Sequence, residues 1–191
     1  FDLDGDLDVF LQTPFGRCTL PPLLYENDGH PDTLSFTPRR LASSWWTTNP
    51  TGLTWGDLDR DGDLDLAFNG WGSWSRSRLF DGRAVDNGDG HFLRVVPQVD
   101  GRAAFGAIVD LDLDGPADAP DFAEGPGKMH TEILTVRASG GQAPAEALFG
   151  LGARQPPYWV RVRFPDGQQK IHRIDAPDTE VVIDCHRQAC E

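Results

Sequence analysis

The run Trp55-Gly56-Asp57-Leu58-Asp59-Arg60-Asp61-Gly62-Asp63-Leu64-Asp65-Leu66-Ala67-Phe68 places an aspartate at every second position around one glycine. Carboxylates packed at that density repel one another by several kcal/mol unless a cation sits among them. A hard divalent cation takes about six to eight oxygens at roughly 2.3–2.6 Å, and alternate carboxylates reach one point only if the chain turns sharply between them. Gly62 permits that turn. The pattern predicts a calcium loop, with the side chains of Asp57, Asp59, Asp61 and Asp65 and the main-chain carbonyl of Asp63 as ligands.

The first half of the pattern is shared with the EF-hand loop, D-x-[DN]-x-[DN]-G, whose twelfth position is a bidentate glutamate. Counted from Asp57, that position is Phe68. Leu64, Leu66 and Phe68 alternate with Asp65 and Ala67, the rhythm of a strand and not of an exiting helix.

The loop recurs. Phe1-Asp2-Leu3-Asp4-Gly5-Asp6-Leu7-Asp8-Val9-Phe10 aligns on residues 58–67, with Gly5 falling on Gly62, 57 residues earlier. Asp2, Asp4, Asp6 and Asp8 then form a second site, incomplete because the counterpart of Asp57 falls one residue before Phe1. A third run, Asp110-Leu111-Asp112-Leu113-Asp114-Gly115-Pro116-Ala117-Asp118, fits the same formula. There Pro116 and Ala117 replace the strand entry, so an ordinary strand ending in a turn competes with a site at Asp110, Asp112, Asp114 and Asp118. A period of this length with Gly/Asp turns points to propeller blades or a stacked array.

These residues resemble the FG-GAP or VCBS-type repeat, with its motif D-x-D-x-D-G-x-x-D followed by an apolar strand. The resemblance covers about the first 90 residues. It implies calcium held in a loop between strands of a β-propeller blade. Two units do not close a propeller, so either missing upstream repeats or other protein chains are expected to supply the remaining packing surface.

From about His91 the texture changes to strand-like runs at residues 92–96, 132–137, 159–164, 169–174 and 179–183. Val160, Val162 and Phe164 point one way and Trp159, Arg161 and Arg163 the other, as in a half-buried antiparallel strand. Pro165-Asp166-Gly167 has the chemistry of a reversing turn. Three landmarks, Gly101-Arg102-Ala103-Ala104-Phe105-Gly106-Ala107, Ala147-Leu148-Phe149-Gly150-Leu151-Gly152 and Arg163-Phe164-Pro165-Asp166-Gly167, resemble those of the ASPIC/UnbV domain, which follows VCBS-type repeats in secreted proteins. The expected fold is all-β: partial propeller-like repeats over 1–92, a small sandwich-like domain over 93–184 and a cysteine-containing tail over 185–191.

Thirty acidic against seventeen basic residues give a net charge of −13, which suits bound cations and argues against nucleic acid. Abundant Gly and Pro make long helices improbable, and no apolar run is long enough to span a membrane. Weak calcium sites need calcium-rich surroundings, which places the chain as secreted, at a cell surface or in the periplasm. Cys185 and Cys190 are close enough in sequence to form a disulfide, leaving Cys18 over. No nucleophile elbow, P-loop or zinc-protease motif is present, and the five histidines are scattered, so no catalytic residue is assigned. Trp45, Trp46 and Trp74, flanked by Ser and Thr, form a candidate ligand surface for sugar rings or a protein partner. The sequence thus predicts a calcium-stabilised, non-catalytic module for adhesion or assembly with other proteins. The alternatives are a carbohydrate-binding module and an accessory subunit of a larger enzyme or surface complex.

Overall fold

The structure, a computed structural model, describes residues 1–11, 23–27, 35–40, 50–70, 77–83, 90–114, 119–123, 128–133 and 144–186. Every regular element among the described residues is a strand, as the Gly- and Pro-rich composition requires.

The first half forms two small antiparallel sheets. Strands β1 (Val9–Leu11), β2 (Leu23–Asn27) and β3 (Phe36–Arg40) pair in chain order, as do β4 (Pro50–Gly56), β5 (Asp65–Gly70) and β6 (Arg78–Phe80). Each acidic loop leads directly into a strand, β1 or β5, because the alternation of apolar residues resumes where the aspartates stop. The backbone repeats with the sequence: Leu3 and Arg60 take φ of 63° and 67°, and Gly5 and Gly62 take 99° and 104°. Left-handed conformations at those four positions let the loop curl on itself. Facing sides are apolar. Phe10 and Leu24 are register partners on the first sheet, Trp55, Leu66 and Phe80 on the second. The Phe10 and Trp55 rings meet edge to face, 5.4 Å between centroids, a geometry that aromatic quadrupoles favour.

The second half is a sandwich. β7 (His91–Val99) is flanked by β11 (Ala147–Gly152), antiparallel, and β14 (Thr179–Cys185), parallel, with the short β8 (Arg102–Ala103) also on β7. The opposing sheet runs β10 (Lys128–Glu132), β9 (Ile108–Asp112), β12 (Tyr158–Arg163), β13 (Gln169–Ile174). One apolar cluster joins them, including Leu93, Val95, Phe149 and Ile183 from the first sheet and Val109, Leu111, Val160 and Val162 from the second. Each such side chain removed from water contributes about 1.5–3 kcal/mol. β12 buries every second residue, and its outward face carries Trp159, Arg161 and Arg163. At the hairpin to β13, Gly167 adopts φ 90° and donates its amide to the Phe164 carbonyl (3.0 Å).

Three sequence boundaries shift. The 92/93 division falls inside β7, because Phe92 already pairs with Gly150 in the sandwich sheet. The strand expected over 132–137 is instead Lys128–Glu132, since its register partner β9 ends the pairing at Ile108, and 134–137 lie outside the described residues. Cys185 belongs to β14 and is buried, not part of a tail, because β14 stays paired with β7 out to Val99.

Candidate metal centre between the acidic loops and the sandwich

In the second loop each aspartate orders the next residue. The Asp61 amide donates to Asp59 Oδ1 (3.3 Å) and the Asp63 amide to Asp61 Oδ1 (3.1 Å), two successive side-chain turns. Gly62 donates to Asp57 Oδ2 (2.9 Å). Asp65 closes the loop: Leu58 donates to its Oδ2 (2.7 Å) and Gly82 to its Oδ1 (2.9 Å). Both Asp65 oxygens are thus held by backbone amides, so the structure places this residue as a clasp.

Asp57, Asp59 and Asp61 each bring one carboxylate oxygen to a common point, all within 4.8 Å of one another. The Asp57 side chain is fully removed from solvent, and its Oδ1 has no hydrogen-bond partner. A buried carboxylate oxygen left without a donor costs roughly 1–3 kcal/mol or more, and a cation supported by Asp59 and Asp61 would satisfy it. The donor set is all oxygen, which suits calcium or magnesium and not a soft metal. Asp63 is buried and presses on Gly82, where no Cβ would fit.

The first loop repeats this wiring. Asp4 donates to Asp2 Oδ1 (3.4 Å) and Asp6 to Asp4 Oδ1 (3.1 Å). Asn27 donates to Asp8 Oδ1 (3.0 Å) and the Phe1 amino nitrogen to Asp8 Oδ2 (2.8 Å), the counterparts of Gly82 and Leu58. Both carboxylate oxygens of Asp6 are buried without a hydrogen-bond partner. Burial, reinforced by the charges of Asp4, Asp8 and Asp2, pushes the Asp6 carboxyl up to about 6. Asp4 is also raised, mainly by burial.

Both loops lie on the outer face of the β11-β7-β14 sheet. Leu3 is buried there: its carbonyl accepts from the Gly152 amide (2.7 Å), and a Cβ on Gly150 would come within 2.6 Å of the Leu3 Cα. At the second loop the Phe92 ring fills the space beside Gly62. Arg94 pairs with Asp57 through Oδ2 and also faces Glu180 (3.3 Å) and Glu146 (3.9 Å). Arg60 reaches Glu180 from the loop side (3.6 Å). None of Phe92, Arg94 and Glu180 was singled out from the sequence. The available signal was Arg94 itself, a charge inside the apolar run Phe92-Leu93-Arg94-Val95-Val96.

The third acidic run behaves differently. Asp110 and Asp112 sit on β9, and protein cations meet both. Arg161 and Arg163 donate to Asp110 (2.8–3.0 Å), with the Arg161 guanidinium also over the Phe122 ring. Asp112 accepts from Lys128 and from the amides of Asp114 and Asp121. Burial raises its pKa, but Lys128 and those amides outweigh it and hold the carboxyl below the usual range. Asp114 is exposed, 3.8 Å from Arg154, and Asp118 lies outside the described residues. Residues Ile108–Asp112 of this run are thus strand, and arginine and lysine side chains meet Asp110 and Asp112.

Trp45, Trp46 and Trp74 lie outside the described residues, as do Cys18 and Cys190. Cys185 is held in a disulfide. Among the described residues no helix is long and apolar enough to cross a membrane.

Residues 1–68 match the family model of the FG-GAP-like repeat. An FG-GAP-like repeat, a β-propeller type of unit, therefore occupies the stretch that contains both acidic loops. No curated protein matches the chain.

Proposed function

We propose that this chain is a calcium-stabilised module that binds other proteins outside the cytoplasm, at a cell surface or in the periplasm, and has no catalytic role of its own. The observation that carries the calcium reading is the buried, unpartnered Oδ1 of Asp57 beside Asp59 and Asp61. The FG-GAP-like repeat supports a protein-binding role, and the small sandwich behind it fits an ASPIC/UnbV-like domain, whose Gly106 and Pro165 landmarks pack against each other. Asp57, Asp59 and Asp61 would hold the ion, with Asp63 offering its main-chain carbonyl and Asp65 clasping the loop. Asp2 and Asp4 would do the same in the incomplete first loop, with Asp6, the counterpart of Asp63, offering its main-chain carbonyl and Asp8 as the clasp. Calcium's contribution would be structural: binding energy realised only in the folded loop adds to folding stability.

Calorimetric titration with calcium, run beside thermal unfolding with and without chelator, tests this. Saturable binding and a melting temperature raised by calcium are expected. Absence of both would remove calcium from the account.

A further inference from the structure

We propose that Arg94 of β7 is the resident counter-ion of the second acidic loop and holds its calcium affinity down, so that the cation and the sandwich sheet draw on the same carboxylate. The proposal rests on reading that loop as a calcium site and names the residue that regulates it.

Arg94 is buried, and its neighbours along the strand, Leu93 and Val95, belong to the core. A guanidinium stays charged wherever it is placed, and one withdrawn from water needs a carboxylate beside it. Three are within reach: Asp57 through Oδ2, Glu180 at 3.3 Å and Glu146 at 3.9 Å. Asp57 is the most deeply buried of the three, so its pairing with Arg94 is the one that water screens least. The other oxygen of Asp57, Oδ1, has no hydrogen-bond partner and lies in the cluster with Asp59 and Asp61.

An ion at Oδ1 and the guanidinium at Oδ2 would sit on the two oxygens of one carboxylate. Like charges at that spacing repel, and buried ones are little relieved by salt. Arg94 also orients Asp57, which by itself would help the ion. That help is redundant, because the Gly62 amide fixes the same Oδ2 (2.9 Å) from within the loop. Repulsion is what remains, so taking away the charge of Arg94 tightens calcium. In the wild type the arriving ion turns the guanidinium from Asp57 toward Glu180 and Glu146. One joint between loop and sheet loosens as the loop itself stiffens.

Calorimetric titration of the whole chain with calcium, wild type against Arg94→Met and Arg94→Lys, is the test. The component that belongs to the second loop is the one lost in Asp59→Ala combined with Asp61→Ala. Arg94→Met should bind calcium about tenfold more tightly or better, even if the repulsion were screened as in water. Arg94→Lys keeps the charge and should stay near wild type. The gain in Arg94→Met should persist at about 0.5 M salt, whereas any gain from removing the exposed charge of Arg60, in Arg60→Gln, should vanish there. If Arg94→Met does not fold, Glu180→Gln decides: with one of its carboxylates neutral, Arg94 bears harder on Asp57. Calcium should then weaken at high salt, where the partly exposed charge of Glu180 is itself screened. Affinity that is unchanged or weaker in folded Arg94→Met, a gain that salt abolishes, or, in that second case, unchanged affinity in Glu180→Gln overturns the proposal. Wild type that binds no calcium sinks the calcium reading and this proposal with it; wild type that binds with an affinity indifferent to Arg94 sinks this proposal alone.

Discussion

Arg94 of β7 and Asp57 of the second acidic loop form an ion pair withdrawn from water on both sides, Arg94 at 3% and Asp57 at 0% side-chain exposure. Asp57 thus divides its two oxygens, Oδ2 serving Gly62 and Arg94 while Oδ1 has no hydrogen-bond partner. This carboxylate is one of the joints between the loop and the sandwich, beside Arg60–Glu180 and the Phe92 ring at Gly62.

Removing one member of a buried pair costs more than the pair itself contributes, because the other charge is stranded. Arg94→Met should therefore lower the unfolding free energy by about 3–5 kcal/mol in the absence of calcium. With calcium bound, part of the charge on Asp57 is met by the metal and the loss should shrink. Denaturant unfolding of both proteins in chelator and in calcium measures the difference; an identical loss in both would mean that Asp57 does not share its charge with an ion.

Asp59→Ala combined with Asp61→Ala should abolish the rise in melting temperature that calcium gives, while leaving the sandwich core untouched. Scanning calorimetry of the double variant with and without calcium is the check. A full-sized calcium shift in that variant would place the ion elsewhere.

The acid groups give opposite pH slopes. Asp6 keeps its proton up to about pH 6 when folded but loses it near 3.8 when unfolded. Its contribution is complete below about 3.8 and declines as pH rises to about 6. Asp112 is held below its ordinary 3.8, so its contribution is present above that value and is lost on further acidification. Without calcium, melting temperature should fall between about pH 4 and 6 in wild type, and less steeply in Asp6→Asn. Calcium binds the ionised form and should flatten the slope; melting curves across that range that coincide for wild type and Asp6→Asn would refute the assignment.

Gly150→Ala tests how the first loop is seated. The added methyl would meet the Leu3 backbone, not a flexible side-chain tip. Overpacking of this kind costs about 1–3 kcal/mol. Faster hydrogen exchange at the Gly152 amide, which donates to Leu3, should accompany the loss. An unchanged exchange rate would show that the loop accommodates the methyl.

What the sequence disclosed was local. The spacing of Asp57, Asp59 and Asp61 around Gly62, the strand that follows them and the hairpin at Gly167 are each fixed by neighbours along the chain. What it concealed depends on residues far apart. The run at 110–118 reads like the other two loops, and only Lys128, Arg161 and Arg163, brought alongside by the sheet, make it an ion-paired strand. The parallel pairing of β14 with β7 and the seating of both loops on that sheet have the same origin. Asp65 and Asp8 are an intermediate case: their spacing marks them as loop residues, but the amides that occupy them come from Gly82 and Asn27.

The Leu3 carbonyl and the Gly152 amide are 149 residues apart in the sequence. During synthesis Leu3 leaves the ribosome long before β11 exists, and the acidic loop that carries it must wait, exposed, until the sandwich sheet has been made. Contacts of such sequence separation close late. Early metal capture by the loop would hold its curl while it waits, so calcium in the compartment of folding should raise the yield of correctly seated protein as well as its final stability.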